Sequence, residues 1–171
     1  AAVSGQSLSE LFAACGDFET RQIDFGLDGQ LSLLVCWLDG LVSGSEVTED
    51  VLRPLTQTAR AGGIDSEQAC MERILQGAVY RCSVHLRRDP DSLVSDLTHG
   101  HCAIVFTRLQ AALTFELRAK ESRAVSEPTL EKSLKGAKDS FVETLRTNTS
   151  LVRRRICSPK LKLAESTVGR K

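Results

Sequence analysis

The sequence predicts a mixed α/β fold, in which a small β-sheet of about five strands is flanked by helices and followed by a helical basic segment that leads into a second lobe. Apolar runs of strand length lie between turn residues, as in "GQLSLLVCWLDG", and segments with helical spacing lie between those runs. At 171 residues and 42% hydrophobic content, the chain is long enough to bury a core. These observations exclude a disordered chain.

Charge is distributed unevenly along the chain. Residues 1–117 carry 8 Lys/Arg and 16 Asp/Glu, a net charge of −8, whereas residues 118–171 carry 14 and 6, a net charge of +8. Because an acidic and a basic part can dock on each other, the basic part does not by itself indicate an anionic partner. We divide the chain into an acidic α/β lobe (1–120), a basic helical signature segment (121–158) and the start of a second lobe (159–171).

The strands are predicted from apolar runs bounded by turns. "FETRQIDFG" and "GQLSLLVCWLDG" form a hairpin that turns at Asp28-Gly29. Further strands are predicted in "AVYRCSVHL", "HCAIVF" and "AALTFEL", the last two joined near Arg108-Leu109-Gln110. Together these runs account for the five strands of the predicted sheet.

Helices are predicted from apolar spacing and end signals. "SLSELFAAC" opens the chain, and "SEVTEDVLRPLTQTARAGG" follows the hairpin, with Pro54 predicting a kink or break inside it. "DSEQACMERILQG" is capped by Asp65 or Ser66. Its apolar face is assigned to Ala69, Ile74 and Leu75.

The basic part is predicted to be mainly helical. Pro128 suits the first turn of a helix that stops at Gly136. A longer helix is predicted from Asp139 to Ile156. The tail "SPKLKLAESTVGRK" has the pattern of a connector and a strand-like end, which we expect to continue in a longer protein.

The longer helix ends in three consecutive arginines and carries the strongest local pattern. At about 100° per residue, six residues of this helix fall within one arc of about 100°, which predicts a core-facing stripe. Arg153 and Arg155 flank that arc, and Arg154 faces solvent. A nucleic-acid-binding helix would place its cations on one face, so nucleic-acid binding is the least supported function considered. The stripe residues are Phe141, Val142, Leu145, Thr149, Val152 and Ile156.

Catalytic and metal-binding motifs are weak. "THGHCAIV" offers His99, His101 and Cys102, but the spacing does not match the paired ligands of structural zinc sites, and His85 is the one further histidine. No Ser or Cys lies in a nucleophile elbow such as GxSxG. We therefore predict no metal, no cofactor and no enzymatic activity. The six cysteines lack CxxC pairing, which favours reduced thiols in a cytosolic setting.

One loop is a candidate for ligand binding. "LDGLVSGSE", residues 38–46, follows an apolar strand and precedes a helix, so Asp39, Ser43, Ser45 and the loop amides are available to a small metabolite. The loop lacks the Lys-Ser/Thr ending of a phosphate loop. An ordinary strand-to-helix loop with a turn-forming Asp-Gly explains the same residues. A small-metabolite-binding module is therefore an alternative function.

Residues 121–156 contain an Arg, a Glu-Pro pair, a later Glu and a glycine, followed by Phe-x-Glu, Asn, Leu and a run of arginines. This block resembles the signature of the GerA family, the A subunits of bacterial spore germinant receptors, and the related stage V sporulation protein AF shares it. "WLDGLV" and "STVGRK" also resemble family segments, whereas Ala137 and Ser140 depart from its usual proline and glycine. The matching positions are Arg123, Glu127, Pro128, Glu131, Gly136, Phe141, Glu143, Asn148, Leu151, Arg153, Arg154, Arg155 and Ile156.

The resemblance implies a location and partners. Its members are integral proteins of the spore inner membrane that work with B and C subunits in nutrient sensing, and they are not a known enzyme family. No window of this chain approaches the roughly 18 to 20 apolar residues of a membrane span, and no secretory signal is visible, so composition alone predicts a soluble chain. The resemblance therefore implies the cytoplasmic (core-side) N-terminal domain of such a receptor, compatible with a homo-oligomer.

The resemblance also points to a polar network at the junction between the acidic lobe and the second lobe. Charge-assisted hydrogen bonds can hold such a joint. We expect the network to act in assembly and signal transmission. Its predicted members are Arg123, Glu127, Glu131, Glu143, Asn148, Arg153 and Arg155.

Overall fold

The computed structural model describes residues 2–25, 31–79, 83–117, 141–166 and 168–169. The predicted turn at Asp28-Gly29, the middle of the "AVYRCSVHL" strand and the predicted helix that begins near Pro128 lie outside the described residues. Within the described ranges, no helix is long and apolar enough to cross a membrane.

A five-stranded antiparallel sheet forms the centre of the fold, as the sequence predicted. Its spatial order is β1-β2-β4-β5-β3. The strands β4 and β5 are apolar and buried along almost their whole length, so both faces of the sheet are covered there. The strands are β1 Phe18–Phe25, β2 Leu31–Leu38, β3 Val84–Arg87, β4 His101–Phe106 and β5 Ala111–Glu116.

The helices that flank the sheet account for the rest of the core. One of them, α5, packs on the face that includes Thr114, and α3 contacts β1. The helices are α1 Gly5–Leu11, α2 Gly44–Glu46, α3 Arg53–Ala61, α4 Glu67–Arg73, α5 Pro90–Thr98 and α6 Leu145–Arg155, with π-helical stretches at Val47–Leu52 and Ile74–Ala78.

Pro54 changes the type of helix without ending it. The chain stays helical from α2 through α3, and the six residues before Arg53 are wound as a π-helix. The Arg53 N–H donates to the carbonyl of Thr48, five residues earlier. Because proline has no N–H and its ring crowds the preceding turn, a wider turn at this point accommodates it.

Helix α4 begins as predicted at Ser66, whose hydroxyl accepts a hydrogen bond from the Ala69 N–H at 3.2 Å. The predicted apolar face is wrong at Leu75, which is 49% exposed. Glu67, the residue after Ser66, is buried although it is charged. Its carboxylate accepts hydrogen bonds from the backbone N–H groups of Arg108 and Leu109 at 3.0 to 3.2 Å. This contact ties α4 to the β4–β5 turn.

Helix α5 has no counterpart among the sequence predictions. Its start was nevertheless encoded: Asp89 accepts a hydrogen bond from the Ser92 N–H at 2.8 Å, and Pro90 occupies the first turn. Its own residues Leu93 and Leu97 are buried. A nine-residue helix shows only two apolar repeats, which is too short for a clear periodic signal.

Helix α6 begins later than predicted, at Leu145 instead of Asp139. The side chain of Asn148 holds the preceding segment outside the helix: Oδ1 accepts from the Val142 N–H at 2.7 Å, and Nδ2 donates to the Val142 carbonyl at 2.6 Å. These bonds satisfy backbone groups that a longer helix would have paired internally.

Candidate functional site

The site is built at one end of the β1–β2 pair, where two acids lie side by side. Asp17 immediately precedes β1 and Asp39 follows β2, and the Asp39 N–H donates to the Asp17 carbonyl at 2.8 Å. Phe18 and Leu38 are register partners at this end of the ladder. Helix α6 packs across it.

Arg153 of α6 is the centre of the site, and it is only 1% exposed. Its Nε and Nη2 donate to the two carboxylate oxygens of Asp17 at 2.9 and 2.8 Å, and its Nη1 donates to the Leu161 carbonyl at 2.9 Å. Every guanidinium nitrogen therefore has a partner, in the planar fork geometry that arginine favours. We call Asp17, Arg153 and the Leu161 carbonyl the arginine junction.

The electrostatics of the junction keep Arg153 charged although it is buried. Burial lowers the pKa of the guanidinium, but the hydrogen bonds to Asp17 and Cys15 outweigh this effect, so the pKa lies above its ordinary value. A charged group that is removed from water stays stable only when it is paired and hydrogen-bonded. Arg153 is thus unavailable to the phosphate of a nucleic acid.

The second acid also pairs with α6. The Arg146 guanidinium forms an ion pair with the Asp39 carboxylate. Next to it, Gly40 has a φ of +86°, and a Cβ at this position would lie 3.0 Å from the Ser150 side chain. Glycine is therefore required both for the turn and for the close approach of α6.

The segment that follows α6 returns to the same end of the sheet. The Gly16 N–H donates to the Leu163 carbonyl at 2.8 Å, and the Lys162 ammonium donates to the Leu11 carbonyl. The Lys162 nitrogen also lies 5.7 Å from the centroid of the Phe12 ring. Helix α6 and this tail therefore both contact the loop between α1 and β1. Whether residues 159–171 start a second lobe stays a prediction.

A cavity of about 650 Å³ opens beside the junction. Its lining combines the two acids with two basic side chains and a third carboxylate, so it offers both signs of charge. The lining residues are Asp17, Asp39, Leu145, Arg146, Thr149, Lys162, Leu163, Ala164, Glu165 and Ser166.

The structure corrects the predicted core-facing stripe of α6. Phe141 and Leu145 are each 71% exposed and Ile156 is 48% exposed, whereas Val142, Thr149 and Val152 are half-buried. The residue that faces the core is Arg153, which the helical pattern predicts on a flank and the resemblance predicts in one network with Glu127 and Glu131. Its partner is Asp17, which local pattern could not identify because the two residues are 136 positions apart.

The structure describes four of the seven predicted network residues and all three predicted loop residues. Glu143 and Arg155 are exposed on the α6 side, and Asn148 binds the Val142 backbone. Of the loop residues, Asp39 lines the cavity, whereas the hydroxyls of Ser43, just before α2, and Ser45, within α2, bond to each other at 2.7 Å and are not among its lining residues. The network as a whole stays a prediction, since three of its members lie outside the described residues: Arg123, Glu127 and Glu131.

The sequence neighbours that resembled a metal motif do not converge. His101 and Cys102 are consecutive on β4 and therefore point to opposite faces of the sheet. The Cys102 thiol is fully buried, and burial holds its pKa well above the ordinary value. His99 follows α5, and its Nδ1 donates a hydrogen bond to the Ser95 carbonyl at 2.7 Å.

Comparison with known proteins gives consistent matches. A family model described as Bacillus/Clostridium GerA spore germination protein matches residues 6–171. The uncharacterized membrane protein YfkQ of Bacillus subtilis (strain 168) is 26% identical over 166 residues, covering 97% of this chain and 31% of its own length. Spore germination protein KA of the same strain is 30% identical over 145 residues, covering 85% of this chain and 26% of its own length.

A solved structure shares the fold. The crystal structure of the N-terminal domain of the A subunit of the Bacillus megaterium spore germinant receptor GerK3 matches with a TM-score of 0.68 and 19% identity, covering 99% of this chain and 62% of that chain. This likeness confirms the mixed α/β fold. The chain spans about a quarter to a third of the length of the two curated relatives.

Proposed function

The chain belongs to the Bacillus/Clostridium GerA spore germination protein family, and we propose that it is the N-terminal domain of a germinant receptor A subunit that acts in receptor assembly and signal transmission. The proposed domain has no enzymatic role and works with the B and C subunits of the receptor. Relatives that bear the names of spore germination and membrane proteins support this proposal, as does the fold shared with an A-subunit domain.

The arginine junction is the observation that carries the proposal. It fastens α6 and its tail to the sheet through one buried bidentate ion pair and one hydrogen bond to a backbone carbonyl. Such directional contacts specify one arrangement of two packed parts, since loss of either partner leaves a buried charge unpaired. A movement of α6 would therefore be coupled to the end of the β1–β2 pair.

Three exposed apolar side chains on and beside α6 support a role in assembly. Phe141, Leu145 and Ile156 give this helix an apolar side that the described residues do not cover. We infer that this side meets another part of the receptor, because exposed apolar surface of this kind marks contact sites. The junction would then connect that contact to the sheet.

The proposed cytosolic side rests on the thiols. Cys15, Cys36, Cys70 and Cys102 are buried and free, and burial raises the pKa of Cys36 and Cys70 to about 12. Buried thiols of this kind behave as small apolar side chains and suit a reducing compartment.

The proposal is tested in spores that carry the full-length receptor with Arg153→Ala, Arg153→Lys or Asp17→Asn. Immunoblots measure the levels of the A subunit and its partners, and the loss of optical density measures germination. We expect Arg153→Ala to lower subunit levels or to slow germination at normal levels. Arg153→Lys should resemble it, because an ammonium cannot reproduce the bidentate fork.

Arg53→Ala in α3 is the matched control, because Arg53 is an exposed arginine in an ion pair with Glu49. It should leave both readouts unchanged. Normal subunit levels together with a normal germination rate in Arg153→Ala spores would overturn the proposal.

The cavity beside the junction favours a second function, the binding of a small metabolite. Asp39, Arg146, Lys162 and Glu165 present both charges to a space of about 650 Å³, which suits a ligand with an amine and a carboxylate. Calorimetry or ligand-detected NMR with amino acids, sugars and nucleosides tests it. Binding that is lost in Arg146→Ala would support this function, and no binding by any of the three classes would remove it.

A further inference from the structure

Two histidines from different strands lie on one face of the sheet. In the antiparallel registers, His85 of β3 is opposite Thr114 of β5, and His101 of β4 is opposite Glu116 of β5. Register partners lie side by side on the same face, and Thr114 and Glu116 are two residues apart, so all four side chains share that face. Sequence spacing hides this pair because 15 residues and a whole helix separate its members.

Asp96 of α5 reaches the same place from above the sheet. Its Oδ2 accepts a hydrogen bond from the Thr114 hydroxyl at 2.5 Å. One ligand atom from each of His85, Asp96 and His101 lies within 4.8 Å of the others, and the two imidazole centroids are 6.2 Å apart. We propose that His85, Asp96 and His101 form a binding site for a divalent transition-metal ion such as Zn²⁺.

The donor set fits that class of ion. Two imidazole nitrogens and one carboxylate oxygen are ligands of Zn²⁺ and related ions, whereas Ca²⁺ and Mg²⁺ take oxygen ligands almost exclusively. Ring nitrogens at about 2.1 Å from a shared ion put the two centroids roughly 5 to 6 Å apart. The observed separation is close to this range, so a small rotation of the exposed His85 ring brings both nitrogens to one ion.

The hydrogen bond made by His101 prepares it for this role. Its Nδ1 lies 3.1 Å from the Asp96 carbonyl, which can only accept, so Nδ1 carries the hydrogen and Nε2 has the free lone pair. A backbone carbonyl on the far nitrogen is the usual support of a metal-binding histidine. Burial lowers the pKa of His101 against the opposing charges of Asp96 and Glu116, so the neutral ring dominates at pH 7.

Asp96 is held in place while keeping one oxygen available. Arg87 Nε donates to Oδ2 at 2.7 Å, and Arg87 Nη2 donates to Oδ1 at 3.2 Å. Burial raises the pKa of Asp96, but the hydrogen bonds from Arg87 and Thr114 outweigh it and lower the pKa, so the carboxylate is ionised. Oδ1 accepts only the longer of these bonds and retains a lone pair for an ion. Arg87 and Thr114 are thus positioning residues.

Glu116 is a candidate for a fourth ligand. It is exposed and lies beside His101, close enough for its charge to raise the pKa of that ring. Its carboxylate also balances the positive charge that Arg87 brings to the cluster. A water molecule would complete the coordination where Glu116 does not reach.

The test measures Zn²⁺ and Co²⁺ binding by the 171-residue chain at pH 7.5. Cys157→Ser is introduced first, because Cys157 is the exposed thiol among the described cysteines. Calorimetry should give one equivalent of Zn²⁺ per chain. His85→Ala and His101→Ala should each weaken binding at least about tenfold, since each removes a direct ligand.

His99→Ala is the matched control, because it removes the third histidine at the end of α5, outside the cluster. Binding should be unchanged in this variant. The Co²⁺ complex should show d–d bands without a thiolate charge-transfer band, as expected for nitrogen and oxygen ligands. His85 is exposed, so His85→Ala is expected to fold even where His101→Ala does not.

Three results would overturn the proposal: no stoichiometric binding, unchanged binding in His85→Ala, or a thiolate band in the Co²⁺ spectrum. Circular dichroism of each metal-free variant separates a lost ligand from a lost fold. The outcome does not depend on the proposed receptor function, because the readout is metal affinity.

Discussion

Different interactions stabilise the sheet lobe and the α6 segment. In the sheet lobe, residues 2–25, 31–79 and 83–117, apolar side chains such as Val35, Ile104 and Leu113 are completely buried. In the α6 segment, residues 141–166, Arg153 is the one buried residue. Burial of apolar area is large and non-directional, whereas an ion pair is local and directional.

This difference teaches that the two regions need not unfold together. The sheet lobe has a core of its own, so it should stay folded when α6 is released. The α6 segment has too little apolar burial to stay attached without its polar contacts. A part that can be released without loss of the core is suited to transmitting a signal.

The largest effect on this contrast is expected from Arg153→Ala. It leaves the Asp17 carboxylate buried and unpaired, so we expect the attachment of α6 to lose about 3 to 5 kcal/mol. Hydrogen exchange should show lost protection over residues 145–155, with the amides of β4 and β5 protected as before. Equal loss of protection in both regions would show that they form one cooperative unit.

A paired substitution separates the charge from the packing. Arg153→Met with Asp17→Leu removes both charges and keeps apolar volume at the junction. Because no charge is then left unpaired, this double variant should lose less stability than Arg153→Ala. A larger loss would mean that the ion pair itself stabilises the attachment.

The second test concerns the start of α6. Asn148→Ala removes two hydrogen bonds to Val142, each of which contributes roughly 0.5 to 1.5 kcal/mol, so we expect a loss of about 1 to 3 kcal/mol. Asn148→Asp is the control, since it keeps the acceptor and loses the donor. It should give an intermediate loss in thermal unfolding, and equal values for the two variants would contradict the bidentate contact.

The sheet could be predicted from the sequence because its signals are local. Apolar runs between turn residues located β2, β4 and β5, and Ser66 marked the start of α4. These features depend on neighbouring residues, whose spacing sets which face they occupy. The start of α5 was also encoded locally, by Asp89 and Pro90, but the helix is short and its signal was missed.

The site could not be predicted because its contacts are non-local. The amphipathic pattern of α6 predicted an apolar face toward the core, but the residue that reaches the core is Arg153. A buried arginine is stable there only because the carboxylate of Asp17, which is distant in the sequence, accepts its hydrogen bonds. Pairing of this kind depends on the tertiary arrangement and leaves no trace in helical spacing.

The third test makes a smaller change inside the sheet lobe. Ile104→Val removes one buried methylene from β4 and should cost about 0.5 to 1.5 kcal/mol. Although this loss is smaller than that of Arg153→Ala, it should appear in global unfolding by denaturant and at all the slowly exchanging sheet amides. A loss confined to α6 would contradict the division into two regions.

The smallest effect is expected where an arginine and an acid meet in solvent. Arg53 and Glu49 form an ion pair at 2.8 Å with side chains 59% and 53% exposed, whereas the Arg153–Asp17 pair has the same distance with side chains 1% and 10% exposed. Water screens the exposed pair, so Arg53→Ala should change the free energy of unfolding by less than about 0.5 kcal/mol. Denaturant unfolding of both arginine variants measures the contrast directly. If Arg53→Ala cost as much as Arg153→Ala, burial would not be what makes the junction strong.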